Sequence, residues 1–220
     1  MLKRLFDLTI ASLALLVLSP VLLWVVRRRQ RASAGPVFER CRRAGRGGIP
    51  FQMLTFAPAK EASSNPQAAS PFQFEWLPQL TNVVRGDMSL VGPRPESTNE
   101  VERYNWNEKR LLALRPGLID WASLWNRAER EVLAGAPDPE EAYERVIRPY
   151  KLRLELYYLD THTLWGDLRI LLVPVVRTFY KSYVPRDIKS SPSFRELRAR
   201  VARLVATEQI HRTVSSRRGA

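Results

Sequence analysis

The stretch from Phe74 to Glu96, FEWLPQLTNVVRGDMSLVGPRPE, decides the fold. From Leu77 to Val84 its apolar residues recur at helical spacing, and Pro78 is compatible with the first turn of a helix. The Gly86-Asp87 pair predicts a turn, which the Asp87 side chain fixes through a hydrogen bond. The Gly-Pro-Arg-Pro run, which contains Arg94, predicts a rigid corner, because each proline fixes its own backbone angle.

The composition indicates an anionic partner. Of the 220 residues, 35 are Lys or Arg and 22 are Asp or Glu, which leaves a net charge of +13. A surplus of this kind is typical of proteins that meet nucleic acid, anionic lipid or a phosphorylated substrate. The single cysteine, Cys41, excludes a disulfide within the chain, and one Cys with two His cannot form a zinc cluster.

An apolar run lies near the N-terminus, LTIASLALLVLSPVLLWVV from Leu8 to Val26. Its length is near the lower limit for a membrane span. Ser19-Pro20 lies inside the run, and proline removes one helical hydrogen bond. Basic residues lie on both sides, whereas a one-way span has its excess on the cytoplasmic side. These flanking residues are Lys3, Arg4, Arg27, Arg28, Arg29 and Arg31.

We therefore predict a re-entrant helix that enters the bilayer, breaks at Ser19 and Pro20, and returns to the cytoplasmic face. A helix from Leu5 to Leu18 would be roughly 21 Å long, which is shorter than a hydrocarbon core of about 30 Å. The alternatives are an ordinary span kinked by proline and a signal peptide. The signal peptide is the weaker of these, because no small-residue cleavage site follows.

The segment Glu39–Phe51 is rich in arginine and glycine. Its run GRGGIPF predicts a turn whose glycines could present backbone N–H groups to a phosphate, although a plain loop explains them equally well. Three arginines in this segment are candidates for contacts with phosphates, either of lipid head groups or of a substrate. They are Arg40, Arg43 and Arg46. Residues Ala57–Ser70, which contain little to bury, predict a flexible connector.

The rest of the chain predicts helices, so the expected fold class is mainly α with little β. Start and stop signals indicate Ser97–Leu114, a helix from Asp138 that stops or kinks at Pro149, Lys151–Leu159 and Leu164–Tyr180. The last of these is either a core helix or an amphipathic helix at a membrane interface. The basic tail after Pro185 predicts a helix packed on the domain or on a lipid surface. Asp120 and Trp121 are candidates for a nucleotide contact, with burial of Trp121 as the favoured alternative.

Several of these stretches together resemble a known family. They are the broken membrane helix, Gly35-Pro36-Val37-Phe38, LPQLTNVVRGDMSLVGPRP, PGLIDWASL, the acidic Asp138-Pro139-Glu140 region and the helix YKLRLELYYLD. On these residues the chain resembles the bacterial sugar transferases, or monotopic phosphoglycosyl transferases, over roughly Leu2 to Tyr180. The run from Leu77 to Pro95 is the longest and most specific part of this likeness.

The resemblance implies a reaction and a location. The family transfers a sugar-1-phosphate from a nucleotide-diphosphate sugar to polyprenyl phosphate, at the cytoplasmic face of the bacterial inner membrane, to begin a capsule, exopolysaccharide or O-antigen. It also implies a re-entrant helix at residues 1–31 and a small α-rich cytoplasmic domain with amphipathic interface helices at 32–184. A basic amphipathic tail follows at 185–220. An Asp-Glu pair before LPQL supplies the family's nucleophile and a ligand for Mg²⁺, the implied cofactor.

This chain departs from the family at that pair, where it has Glu75-Trp76. Glu75 is one methylene longer than the nucleophilic Asp, and a displacement of about 1 Å can lower the rate roughly a hundredfold. Trp76 cannot ligate Mg²⁺, which requires oxygen ligands. The family's Lys-Phe-Arg segment is Thr55-Phe56-Ala57 here, and Ser70 replaces a usual arginine. Of the phosphate-binding residues, Arg94 is the one that survives.

Three functions follow as alternatives. The first is a non-catalytic relative, without bound metal, that keeps the fold and assists an active relative or associates with itself. The second is an active transferase that uses Glu75 as its catalytic nucleophile and Arg94 on the phosphate. The third, a membrane-tethered nucleic-acid-binding protein, is suggested by charge alone. We expect membrane lipids as partners, with polyprenyl phosphate and nucleotide-diphosphate sugar if binding is retained, and no nucleic acid.

Overall fold

The structure, a computed structural model, describes residues 1–32, 35–57, 76–126, 132–133, 136–193 and 195–204. The chain divides into two compact units, Met1–Ile119 and Asp120–Ala220. Helices dominate, and the strands described form two sheets of two strands each. This confirms the predicted mainly α fold with little β. The boundaries predicted at residues 31 and 184 stay a prediction.

The first unit begins with helix α1, Leu2–Ala32, which is long and apolar enough to cross a membrane by length and composition. Only 11% of its most apolar window is buried within the protein. The exposed apolar side chains include Leu13, Leu16, Val17 and Leu23. An apolar surface of this extent on a soluble protein marks a site for lipid or another partner. The exposure therefore agrees with the predicted membrane helix.

Helix α1 continues through Ser19 and Pro20, which corrects the predicted break in its secondary structure. Pro20 has no N–H to donate to the Leu16 carbonyl. The Ser19 hydroxyl donates to this same carbonyl oxygen over 2.8 Å. Since side-chain hydroxyls can satisfy a carbonyl that a proline leaves free, the helix does not need to end here. A change of direction at this pair stays a prediction.

Both ends of α1 contact the same unit. Near its start, Arg4 donates to the Val83 carbonyl over 2.5 Å. Near its end, Arg29 donates to the Ala57 carbonyl over 2.7 Å, and its guanidinium lies 4.6 Å from the centre of the Phe56 ring. A straight helix would separate Arg4 from Arg29 by roughly 38 Å, more than the thickness of a hydrocarbon core. Contacts with one small unit therefore favour two ends on one side of a bilayer.

Strands β1 (Phe38–Ala44) and β2 (Pro50–Phe56) form an antiparallel hairpin. Between them, residues 45–49 form the predicted turn, in which Gly47 and Gly48 have φ values of 70° and 75°. Glycine adopts such values without a steric cost. The rest of the arginine-rich segment is strand rather than loop, because β1 pairs along its whole length with the more apolar β2.

The segment after residue 75 forms the core of this unit. The predicted helix over Leu77–Val84 is confirmed as a 3₁₀ turn, Leu77–Gln79, followed by helix α2, Leu80–Arg85. Strand β3 (Ser89–Val91) then pairs in parallel with β4 (Gly117–Ile119). The buried apolar side chains include Leu77, Leu80, Val83, Met88 and Val91.

The helix predicted over Ser97–Leu114 is divided. Ser97 caps α3, Thr98–Glu102, as its hydroxyl suggested. Asn105 and Glu108 then form a reciprocal capping box that starts α4, Trp106–Lys109, and a 3₁₀ turn follows at Arg110–Ala113. The capping box inside the segment begins a new helix, which explains the division.

The second unit is helical where it is described. Its helices are α5 (Trp121–Trp125), α6 (Pro139–Ala142), a π turn (Tyr143–Ile147), α7 (Arg148–Thr161), α8 (Leu164–Phe179), α9 (Arg186–Lys189) and a final helix at 195–204. Asp138 caps α6 as predicted, by accepting from the backbone N–H groups of Glu140 and Glu141. Pro149 lies in the first turn of α7, so a new helix begins at the predicted stop.

The final helix packs on the second unit, as the first of the two alternatives for the tail predicts. Leu197 and Val201 are buried in a cluster with Ala142, Val146 and Ile147. Its apolar face is therefore occupied by protein.

Helix α8 differs from this, because it buries one side and exposes a second apolar stripe. Ile170 and Val173 are buried, whereas Trp165, Leu172 and Phe179 are 69%, 47% and 78% exposed. The stripe agrees with the prediction of an amphipathic interface helix.

Candidate functional site

Arg94 is presented by a corner that two glycines make possible. Gly92 and Gly117 lie so close that a Cβ on Gly117 would be 2.1 Å from the Gly92 nitrogen. Gly117 donates its N–H to the Pro93 carbonyl over 2.8 Å. Pro93 and Pro95 are buried, and Arg94 between them is exposed. The corner therefore fixes the backbone of Arg94 and leaves its guanidinium available to a ligand.

A buried carboxylate links this corner to the membrane helix. Asp7, on α1, is 3% exposed. One carboxylate oxygen accepts from the Ser89 hydroxyl over 2.8 Å, and the other accepts from the Leu90 N–H over 3.1 Å. Lys3 donates to the Val91 carbonyl over 3.1 Å. The strand that leads to Arg94 is thus held by the first turns of α1.

Asn82 joins α2 to β2. Its side chain is fully buried. The amide oxygen accepts from the Leu54 N–H over 2.9 Å, and the amide nitrogen donates to the Gln52 carbonyl over 2.8 Å. The same nitrogen lies 3.2 Å from the Asp87 carboxylate, so Asp87 fixes the turn as predicted. The Asn82 amide therefore bonds the backbone of β2 as a neighbouring strand would, and it fixes the position of β2 relative to α2.

The end of β2 carries the residues that replace the family's two cations. Thr55 and Ala57 offer no positive charge, but the Arg29 guanidinium reaches this point from α1. It donates to the Ala57 carbonyl and stacks on Phe56. Among the described residues, the Arg29 guanidinium therefore lies where the resemblance implies two cations from the strand.

Glu75 lies outside the described residues, and so does Ser70. Trp76 directly precedes the 3₁₀ turn and is 37% exposed. An indole has no oxygen with which to ligate Mg²⁺. The described residues at this position therefore do not fit the metal that the resemblance implies. A site for Mg²⁺ and the catalytic role of Glu75 both stay predictions.

The three candidate arginines of the hairpin occupy different surroundings. Arg40 is exposed on β1 opposite Leu54, and Arg43 is half-buried opposite Phe51. Arg46 is exposed in the turn, where its Nε donates to the Ala113 carbonyl over 3.1 Å. A small cavity of about 30 Å³ is lined by both Gly45 and Arg94. The structure thus brings Arg94 to the segment between Arg43 and Arg46, and Arg40 lies further along the strand.

Asp120 and Trp121 serve the fold of the second unit. Asp120 is 1% exposed and forms a capping box with Ser123 at the start of α5. Trp121 is 4% exposed, which agrees with the favoured prediction that it is buried.

Three residues that fix the backbone around the candidate site, here called the frame, were not recognised from the sequence. They are Asp7, Asn82 and Arg29. Asp7 carries a signal, since it is the one carboxylate beside a long apolar run, and acidic groups there usually have a specific partner. Arg29 and Asn82 carry weaker signals, because one belongs to a run of arginines and the other is a polar residue in a short helix.

Comparisons with known proteins show the family to which the chain belongs. The chain matches the family model for bacterial sugar transferases over residues 1–181. It is similar to a UDP-glucose:undecaprenyl-phosphate glucose-1-phosphate transferase of Caulobacter vibrioides, with 31% identity across 82% of this chain and 72% of that protein. An enzyme of the same name from Escherichia coli K12 is 29% identical, across 81% of this chain and 40% of that protein.

A shorter relative matches over most of its length. The exopolysaccharide production protein ExoY of Sinorhizobium fredii is 29% identical, across 82% of this chain and 88% of that protein. The family match over residues 1–181 includes α1 and both Gly92 and Gly117.

Proposed function

We propose a role for this chain, which belongs to the bacterial sugar transferase family, as a member that keeps the family's frame and has lost its reaction. It sits at the cytoplasmic face of the bacterial inner membrane and serves surface-polysaccharide assembly. There it binds lipid, and it assists an active relative or a second copy of itself. The family reaction, from which this role derives, moves a sugar-1-phosphate from a nucleotide-diphosphate sugar to polyprenyl phosphate.

The observation that carries the proposal is the contrast between the frame and the reaction site. Three features of the frame are present: the glycine corner that holds Arg94, the hydrogen bond from Ser89 to Asp7, and the hydrogen bond from Asn82 to β2. At the reaction site, Trp76 replaces an acid and the end of β2 carries no cation of its own. A protein that keeps this frame but lacks the reacting groups is suited to bind lipid and to associate with a relative or a second copy of itself.

The chemistry of the family reaction explains why these replacements matter. Attack by a carboxylate on a diphosphate brings like charges together, so cations must neutralise the phosphate oxygens. Arg94 and Arg29 are two guanidiniums in this part of the first unit, and Arg29 is already engaged by Ala57 and Phe56. The charge available for the reaction is therefore reduced.

An active enzyme is the second candidate, and the position of Arg29 favours it. Its guanidinium supplies one cation at the end of β2 from a different part of the chain. In this alternative, Glu75 attacks the sugar-bearing phosphate and Arg94 holds it.

The test is nucleoside monophosphate release by the detergent-solubilised full chain with UDP-sugars, Mg²⁺ and polyprenyl phosphate. We expect no release above background from the natural sequence. We expect release to rise at least about tenfold in a variant with Glu75→Asp, Trp76→Glu, Thr55→Lys and Ala57→Arg, because each change restores a group that the reaction uses.

Two further variants make the assay decisive. Trp106→Glu, at a side chain that is 83% exposed, is the matched control for a Trp-to-Glu change and is expected to stay inactive. Release by the natural chain that disappears in Glu75→Ala would establish the active enzyme and refute the proposed role.

A further inference from the structure

We propose that the first unit holds a second binding site, for a phosphate group carried by a membrane lipid. A cavity of about 570 Å³ lies between the turn at residues 45–49, the Gly86-Asp87 corner and residues 112–115. Its volume is within the range of small-molecule sites. It shares Gly45 and Leu112 with the small cavity beside Arg94, but neither Arg94 nor Trp76 lines it.

Two arginines line this cavity in fixed positions. The Nε of Arg46 donates to the Ala113 carbonyl over 3.1 Å, and the Nε of Arg115 donates to the Gly86 carbonyl over 2.9 Å. Within the described part of the chain, their terminal amino groups make no hydrogen bond. A guanidinium held by its Nε presents these amino groups as a planar fork, which matches the oxygens of a phosphate.

The charge at the cavity is positive. Among the described residues, Asp87 is the one carboxylate that lines it, and its oxygen lies 3.2 Å from the Asn82 amide nitrogen. Two guanidiniums therefore face a single carboxylate that already accepts a hydrogen bond. This balance favours an anion over a cation or a neutral sugar.

The position of the cavity favours a phosphate on a lipid over a free one. Gly86 at its wall is in contact with Arg4 of α1, since a Cβ on Gly86 would lie 3.2 Å from an Arg4 amino nitrogen. Arg4 is one turn before the apolar run that begins at Leu8. The cavity thus lies near the depth at which α1 enters the bilayer, and Ile49 on its wall is an apolar side chain that is 72% exposed.

This inference rests on the membrane position given under the proposed function, and not on the loss of catalysis. The test is calorimetric titration of the detergent-solubilised full chain with dihexanoyl phosphatidic acid, farnesyl phosphate and inorganic phosphate. We expect the two lipid phosphates to bind more tightly than inorganic phosphate. Their relative affinities show whether a phospholipid or a polyprenyl phosphate is the better source.

Variants identify the site. Arg46→Gln with Arg115→Gln should weaken lipid-phosphate binding at least about tenfold, because two charge-assisted contacts are lost. The matched control is Arg103→Gln with Arg110→Gln, which removes the same charge from exposed positions outside the cavity. If the Arg115 change prevents folding, Arg46→Gln alone must still weaken binding more than Arg110→Gln does.

The outcomes separate this site from the proposed function. Equal affinities in the cavity variant and the matched control would overturn the proposal, and so would inorganic phosphate binding as tightly as the lipid phosphates. Nucleotide sugar is absent from this titration. Nucleoside monophosphate release by the natural chain would therefore refute the loss of catalysis without affecting the cavity.

Discussion

Asn82 shows how one side chain fixes a site at the scale of a residue. Its fully buried amide reaches two backbone groups of β2 and the Asp87 carboxylate, which are themselves partly buried. A shorter side chain would leave the Leu54 N–H and the Gln52 carbonyl without this partner. Strand β2 would then no longer be held to α2 by this side chain.

We therefore predict that Asn82→Ala lowers the free energy of unfolding by about 2–4 kcal/mol, because several buried hydrogen bonds are lost together. Thermal unfolding of the detergent-solubilised chain measures this. Asn99→Ala, at an exposed position of α3, is the control and should change stability by less than about 0.5 kcal/mol. An equal effect of the two changes would show that the amide does not join the two elements.

Glu196 gives a residue-scale prediction for pH. The backbone N–H of Ser193 and then its hydroxyl donate to the carboxylate, and these bonds lower the pKa of Glu196. Because the folded pKa is below the unfolded one, the stabilisation is present at neutral pH. It is lost as the pH falls below the ordinary carboxyl range near about 4.3.

Hydrogen exchange over residues 195–204 should therefore show weaker protection at pH 3 than at pH 6, after correction for the intrinsic rate. In Glu196→Gln the protection should no longer depend on pH over this range. Protection in the natural chain that is unchanged by acid would contradict the role of this bond.

The residues that the sequence revealed are those whose role depends on near neighbours. Arg94 was recognised because its Gly-Pro-Arg-Pro run, a local pattern, resembles a motif of the family. Asp7 was missed as a link because its partners, Ser89 and Leu90, are more than eighty positions away. No local pattern contains a hydrogen bond over that separation, so such contacts appear only in the folded chain.

The same division holds at the scale of elements. Asp138 and Pro139 placed the start of α6 correctly, because capping is a local interaction. The β1–β2 hairpin was not predicted as strands, because charged residues occupy successive positions of β1, such as Arg42 and Arg43, and hide its alternation. The longer helix expected after Ser97 was divided by the Asn105–Glu108 capping box, a local signal that was present but not used.

Helix α8 provides a prediction at this scale. In a Cys41→Ser background, an environment-sensitive fluorophore on Leu172→Cys should shift its emission to shorter wavelength when the chain is reconstituted into vesicles. The shift is expected because this stripe is apolar and exposed in the protein. The same label on Arg145→Cys, where the side chain is 61% exposed on another helix of the second unit, should stay in water. Equal emission at both positions would contradict an interface position for α8.

At the scale of the whole molecule, the account depends on where the two ends of α1 lie. The contacts of Arg4 and Arg29 with one unit favour both ends on the same side of the membrane, which stays a prediction. Ser19 explains how the helix passes Pro20 without a free carbonyl. The cations on both flanks of the apolar run indicated this re-entrant arrangement from the sequence. The contacts that favour it are visible only in the folded chain.

Cysteine accessibility measures this directly, with single cysteines at Leu2 or Gln30 in a Cys41→Ser background. A membrane-impermeant maleimide should label neither position in intact spheroplasts and both positions in inverted membrane vesicles. Labelling of one end from outside and the other end from inside would show that α1 crosses the bilayer, and the predicted re-entrant position of α1 would be wrong.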